Sequence, residues 1–486
     1  MPRVATTGPV LIALWQIVVI HIHSSPMLTA LFLITFGQLF FRVGIFWLKS
    51  GTINRQLCSG RKLVCYREGT GMGTDSNNVE GPIHSLPTSI GNTQQEMKVS
   101  WWLIVTLLVG IATIFSNLYA TQPILPILSQ SLDVSPALSA LTVSAPVLCV
   151  ALASAIYGPL SDRIGRKPVM IGAACLLLLP TSLAALAANL PMLVICRAFQ
   201  GLLIPGTTVV GIAYIQEEFP PAWRGMGMGA YISATVLGGV EGRLQGGLIA
   251  DWLGWHWIFI SFAITTGLGT LLMTLLLPGI KHGRQVSGRT ELKLRQLGRI
   301  YLQLSTFFHQ RRITGASLMA LAFFFTFISI FTYIPYRMKE APFSLSDSAV
   351  SLLYLVYLVG LFVPLWVGRL SDKVGRRLVL GCTLSGVTVG ILLTSLPNLI
   401  GILIGLAVLC CCLFATQTVA TAFVGDNANT ARGSAASFYM LWYYIGGFLG
   451  PLLCGLAWQV LGWWGVLALC LIAISVSFAS LLTLCA

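Results

Sequence analysis

From Trp101 onward the chain alternates long apolar runs with short polar breaks, and the runs are long enough to cross a bilayer. About 20 apolar residues cover the hydrocarbon core as a helix. No Asp, Glu, Lys or Arg occurs from Leu378 to Gly425 or from Gly433 to Ala486. Between Val169 and Gln216 the sole charge is Arg197. Each of these stretches holds two spans. Hydropathy and helix breakers place the first six spans near Trp101–Pro126, Ala137–Gly158, Val169–Leu190, Pro191–Ala213, Gly225–Ala250 and Trp257–Leu277. The next six lie near Ile313–Tyr336, Ala349–Val367, Leu378–Leu396, Leu399–Val424, Ser434–Trp458 and Trp463–Cys485.

The breaks carry an alternating charge. Those after spans two, four, six, eight and ten hold 17 Lys or Arg, whereas those on the other face hold only Arg337 and Lys339. By the positive-inside rule the basic face is cytoplasmic, which puts both ends of the twelve-span unit there. One missed helix would scramble this split.

The spans repeat. Gly158-Pro159-Leu160-Ser161-Asp162-Arg163-Ile164-Gly165-Arg166-Lys167 recurs 210 residues later as Gly368-Arg369-Leu370-Ser371-Asp372-Lys373-Val374-Gly375-Arg376-Arg377. In the fifth and eleventh spans, Gly238-Gly239-Val240-Glu241-Gly242-Arg243-Leu244 matches Gly446-Gly447-Phe448-Leu449-Gly450-Pro451-Leu452 at an offset of 208. Two motifs at matching places describe a duplicated six-helix unit. The expected fold is an all-α membrane protein with twelve transmembrane helices in two pseudo-symmetric six-helix bundles, 98–278 and 313–486. A basic cytoplasmic linker, 279–312, joins them beside anionic headgroups.

Composition agrees and removes other classes. Hydrophobic residues make up 56% of the 486 and charged residues 9%, with a net charge of +14. The positive charge is scattered through loops and forms no basic face, so no nucleic-acid partner is expected. Most of the 12 cysteines fall inside apolar runs, where a free thiol behaves as a small hydrophobe. No Cys or His pair has zinc-site spacing, and no phosphate-binding Gly-x-x-x-x-Gly-Lys-Ser/Thr loop occurs. The expected protein is a monomer without metal, cofactor or catalytic residues.

Gly158-x-Leu160-Ser161-Asp162-Arg163-x-Gly165-Arg166-Lys167 resembles motif A of the major facilitator superfamily, and the copy with Asp372 and Arg376 is similar to its degenerate second form. Leu193-x-x-x-Arg197-x-x-Gln200-Gly201 is similar to motif B of the drug/proton antiporters. Gly238-x-x-x-Gly242-Arg243-x-x-Gly246-Gly247 resembles the antiporter motif C, but Arg243 stands where that motif has Pro. Tyr119-Ala120-Thr121-Gln122-Pro123 is similar to predicted sugar or metabolite efflux permeases. The resemblance implies a secondary transporter that works by alternating access.

Candidate residues follow from position. Asp162 and Arg166 can form a charged cluster that locks one conformation, while Arg163 and Lys167 also enforce topology. Gly238, Gly242, Gly246 and Gly247, with Gly446 and Gly450 in the other half, have the small-xxx-small spacing of close helix packing. Arg197, Glu241 and Arg243 are the ionisable groups well inside spans and are candidates for proton coupling. Arg197 and Glu241 fall at similar depth and are expected to pair, with Arg243 facing away at about 200° around the helix. A static salt bridge is the other reading of that pair. Asn117, Tyr119, Gln122, Gln200, Tyr443 and Tyr444 are candidates for a substrate cavity.

Residues 1–97 fall outside the repeat and carry two short apolar runs, Val10–Ile22 and Pro26–Phe41, before a polar tract. An extra membrane segment, a disordered extension, or a start at Met72 or Met97 all fit. The leading function is export of a small organic solute against proton entry, in the cell (inner or plasma) membrane. Proton-coupled uptake and a non-transporting sensor are the alternatives.

Overall fold

The computed structural model describes residues 101–278, 306–428 and 432–483. The expectations for 1–97 and for most of the linker, 279–305, lie outside the described residues.

Among the described residues twelve helical passages follow one another. Spans one to six run Trp101–Ser131, Pro136–Ile164, Arg166–Ala184, Leu190–Glu218, Pro221–Leu253 and Trp255–Leu276. Span seven is Arg311–Lys339, and span eight is Asp347–Leu361 continued by Val363–Val374. Spans nine to twelve are Arg376–Leu393, Leu399–Asn427, Arg432–Leu461 and Trp463–Thr483. Ten of these, among the described residues, are apolar enough over their length to cross a membrane unaided. The other two have local reasons to differ. Span five carries Glu241 and Arg243, and span eight bends by 50° after a 3-10 stretch, Leu353–Leu361. Most spans are longer than hydropathy suggests, because their polar ends stay helical outside the apolar core.

The duplication is visible in the backbone. Gly165 and Gly375 end spans two and eight with φ of +103° and +100°, so the next helix starts at the following residue, Arg166 or Arg376. A side chain is strained at such φ. Asn189 and Asn398 each cap a helix, accepting from the backbone N–H of Met192 and Gly401 at 3.0 and 2.6 Å.

Within each half the first and fifth helices make the closest approach. A Cβ added at Gly238, Gly242 or Gly246 would strike the backbone of Ala112, Ser116 or Ala120 on span one. Gly446 and Gly450 meet Leu321 and Phe325 on span seven in the same way. Gly247 instead faces Ser351 and Asp347 of the other half. The glycines therefore bring backbones together, which in lipid replaces the hydrophobic drive toward association. Spans two and eleven, and spans five and eight, make the broad contacts between halves.

Polarity is arranged for lipid. Thr181, Arg197, Gln200 and Arg243 are buried, while Leu186, Leu275 and Val460 are 72%, 70% and 80% exposed. An exposed apolar belt of this extent has hydrocarbon as its solvent.

Candidate functional site

The interior of the first half is organised by Arg197, which is fully buried. Span one breaks into a 3-10 turn at Asn117–Tyr119, and such a break frees carbonyls from the helical ladder. Arg197 donates to two of them, Asn117 O and Leu118 O, each at 2.6 Å. It also donates to Thr142 O of span two at 2.9 Å and to Gln200 Oε1 at 2.5 Å. Gln200 passes its amide to Thr181 at 2.8 Å, and Asn117 donates to Thr266 of span six at 2.8 Å. Arg197, Gln200 and Asn117 thus tie spans one, two, three, four and six together. Asn117 and Gln200 belong to this internal network and not to a surface between the halves.

The expected Arg197–Glu241 pair is not formed. Arg197 directs its donors to spans one and two, and Glu241 meets the Ser116 hydroxyl of span one instead. Its Oε2 is buried without a hydrogen-bond partner. Equal depth places the two groups at one level, but Arg197 finds its acceptors on spans one and two and at Gln200, and Glu241 finds Ser116 of span one. Depth is a one-dimensional coordinate, and pairing also needs the azimuth.

Arg243 occupies the seam between the halves and is 1% exposed. Its Nε donates to Gln122 Oε1 at 2.7 Å and its Nη1 to Gly239 O at 2.5 Å. The guanidinium carbon lies 4.2 Å from the centre of the Tyr119 ring, 4.3 Å from Tyr357 and 5.3 Å from Tyr354. A desolvated cation on aromatic faces gains about 2 kcal/mol. Gln122 crosses the seam, donating to Thr332 at 3.0 Å. Tyr443 stacks on Phe324 at 3.6 Å and meets Tyr444 edge-on at 5.2 Å, and both tyrosines neighbour Tyr119. Tyr443 and Tyr444 thus lie beside Tyr119, while Arg243 itself is met by Tyr119 and Gln122 and, in addition, by Tyr354 and Tyr357. These last two sit on the 3-10 stretch of span eight, where helical periodicity gives no signal.

The basic face carries a charged latch in each half. Arg166 pairs with Asp162 at 2.5 Å and with Glu217 at 2.6 Å, and its Nε also donates to Glu217 at 3.0 Å. Arg166 further contacts Ser161 and the carbonyl of Gly158. In the second half Arg376 pairs with Asp426 at 2.8 Å and with Asp372 at 3.6 Å. Lys167 donates to Leu277 O and Thr274 O, capping the end of span six, as a cation at a helix C-terminus should. Arg163 is exposed. Glu217 and Asp426 were missed by the motif reading, yet they lie 209 residues apart, within the repeat offset. That spacing was the signal.

The opposite face is closed. Tyr336 of span seven hydrogen-bonds Ser129 and Ser139 at 2.5 and 2.7 Å and donates to Leu125 O at 3.1 Å. Asp251 of span five accepts from the Ser348 hydroxyl at 2.5 Å. Tyr333 stacks on Trp458 at 5.8 Å beside these bonds.

Comparison with known proteins matches this architecture. The family model described as Major Facilitator Superfamily matches residues 107–451 and 338–485. The chain belongs to the Major Facilitator Superfamily. It is 30% identical over 393 residues to "Inner membrane transport protein YnfM" of Escherichia coli (strain K12), covering 81% of this chain and 91% of that protein. An "Uncharacterized transporter" of Buchnera aphidicola subsp. Schizaphis graminum is 30% identical over 384 residues, 79% of this chain and 90% of the other. The fold is similar to a bacterial homologue of the human lysosomal transporter Spinster in an inward-facing, unoccupied conformation. That match has a TM-score of 0.63 at 16% identity, covering 79% of this chain and 97% of the other.

Within this superfamily the chain is a multi-pass membrane transporter, and the latch falls on its motif A. The Arg197 network explains why an arginine and a glutamine stand three residues apart in span four. Arg243 stands where the similar antiporter motif has Pro; span five is a continuous helix there, as span eleven is through Pro451. That replacement puts a cation at the seam.

Proposed function

We propose that the protein exports a small organic solute across the cell membrane by alternating access, driven by proton entry. The observation that carries this reading is the cluster of Arg243, Tyr119 and Gln122 from one half with Tyr354 and Tyr357 from the other. A group shared by two rocking bundles at their seam is exposed to alternate sides as they move. With the basic face cytoplasmic, closure by Tyr336 and Asp251 corresponds to a state shut toward the outside. The two latches then hold spans two, four and their counterparts on the inner face.

Glu241 is the proton carrier of this reading, since its carboxyl is held by one hydroxyl and by no cation among the described residues. A carboxyl so placed gains or loses a proton without breaking an ion pair. Arg197 is assigned to structure and not to coupling. The test is solute-evoked proton movement in everted membrane vesicles, across a panel of organic solutes. Glu241→Gln should uncouple solute from proton while Asp162→Asn slows both together. Coupling that survives in Glu241→Gln rejects the proton assignment.

A further inference from the structure

The guanidinium at the seam has an unmet need. Nε and Nη1 of Arg243 have neutral acceptors, but Nη2 is buried with no hydrogen-bond partner. No carboxylate among the described residues forms an ion pair with Arg243. Removing an arginine from water without a counter-charge is costly, and aromatic faces with two neutral acceptors offset only part of that. Such a cation at a site that must open during transport is matched to an anionic ligand.

We propose that the seam binds organic anions, carboxylates on an apolar or aromatic body, with Arg243 Nη2 as their counter-charge; this rests on the transporter reading above. The neighbouring chemistry selects this class over others. An aromatic cage attracts cations, but the faces of Tyr119 and Tyr357 are already covered by Arg243, and a second cation would meet like charge. A polyhydroxylated neutral solute needs many hydrogen-bonding groups. Here the wall toward the second half holds Phe327 and Phe331, packed with Tyr357 at 5.1 and 4.5 Å, and Phe324, edge-on to Tyr444 at 6.1 Å. The Tyr357 hydroxyl is itself buried without a partner and supplies a donor for the second carboxylate oxygen. A charge-assisted N–H to carboxylate bond is about twice as strong as a neutral one, so ligand entry satisfies two donors that the protein leaves open.

The test uses the purified full chain in detergent at neutral pH. Its thermal unfolding is followed with benzoate, phenylacetate and hexanoate, and with benzamide, phenylacetamide and hexanamide. At least one acid should stabilise the wild type with an affinity about tenfold or more above its amide, the ratio expected for one charge-assisted bond. Arg243→Lys should keep the preference for the acid and Arg243→Gln should lose it. No acid exceeding its amide in the wild type overturns the proposal, as does a preference that persists in Arg243→Gln. Should Arg243→Gln fail to fold, the wild-type pairs and Arg243→Lys decide alone. Counterflow of labelled probe in proteoliposomes separates this idea from the one beneath it. Movement of amides without acid preference removes the anion site and leaves transport, whereas acid binding without movement keeps the site and removes transport.

Discussion

At the scale of single residues, the two buried arginines look alike in sequence and differ in what they meet. Arg197 has every guanidinium nitrogen bonded, three of its four contacts being backbone carbonyls at Asn117, Leu118 and Thr142. It acts as the cap of a broken helix. Arg197→Met should leave those carbonyls without donors and lower stability by on the order of 3 kcal/mol, read as an earlier thermal unfolding midpoint in detergent. Arg243 has a nitrogen to spare and lies among rings from both halves. The cost of a charge inside the membrane marked both residues as consequential. Neither its size nor its depth says which partners the charge finds, because these come from carbonyls and rings far away in the chain.

At the scale of elements, spans one and five hold each other through glycines that admit no side chain. Gly242→Leu should abolish the folded, monodisperse protein, since even a Cβ would strike Ser116 O. Gly229→Ala in the same helix meets nothing within 4 Å and should be neutral or slightly stabilising, by up to about 1 kcal/mol of helix propensity. Expression and size-exclusion profiles of the two variants give the comparison. The latches belong to this scale as well. Glu217→Gln removes one of two acids from Arg166, and Asp426→Asn does the same for Arg376. Each should reduce the maximal transport rate severalfold while leaving ligand affinity nearly unchanged, because the latch positions helix ends far from Arg243. A change confined to affinity would contradict this assignment. The motif announced Asp162 and Arg166, whereas their partner on span four was readable only through the repeat offset. Tyr354 and Tyr357 gave no such sign, since a bent 3-10 segment has no steady helical face.

At the scale of the whole molecule, two bundles meet along spans two with eleven and five with eight, and one face is shut by Tyr336, Ser129, Ser139, Asp251 and Ser348. Alternating access requires these bonds to open. A cysteine pair at positions 251 and 348, in a background without the native cysteines, should cross-link readily because the native side chains already touch. Oxidation should stop transport and reduction should restore it; transport that continues in the cross-linked protein contradicts a rocking mechanism through this face. The sequence by itself determined the number of spans, their alternation, the duplication and the glycine seams, since hydropathy, loop charge and side-chain size act locally or at a fixed repeat. Tertiary structure alone decided which buried charges pair, separating Arg197 from Glu241 and placing Arg243 with Tyr354 and Tyr357. Pairing depends on the rotation of each helix and on which neighbour stands between, and those follow from packing all twelve helices together.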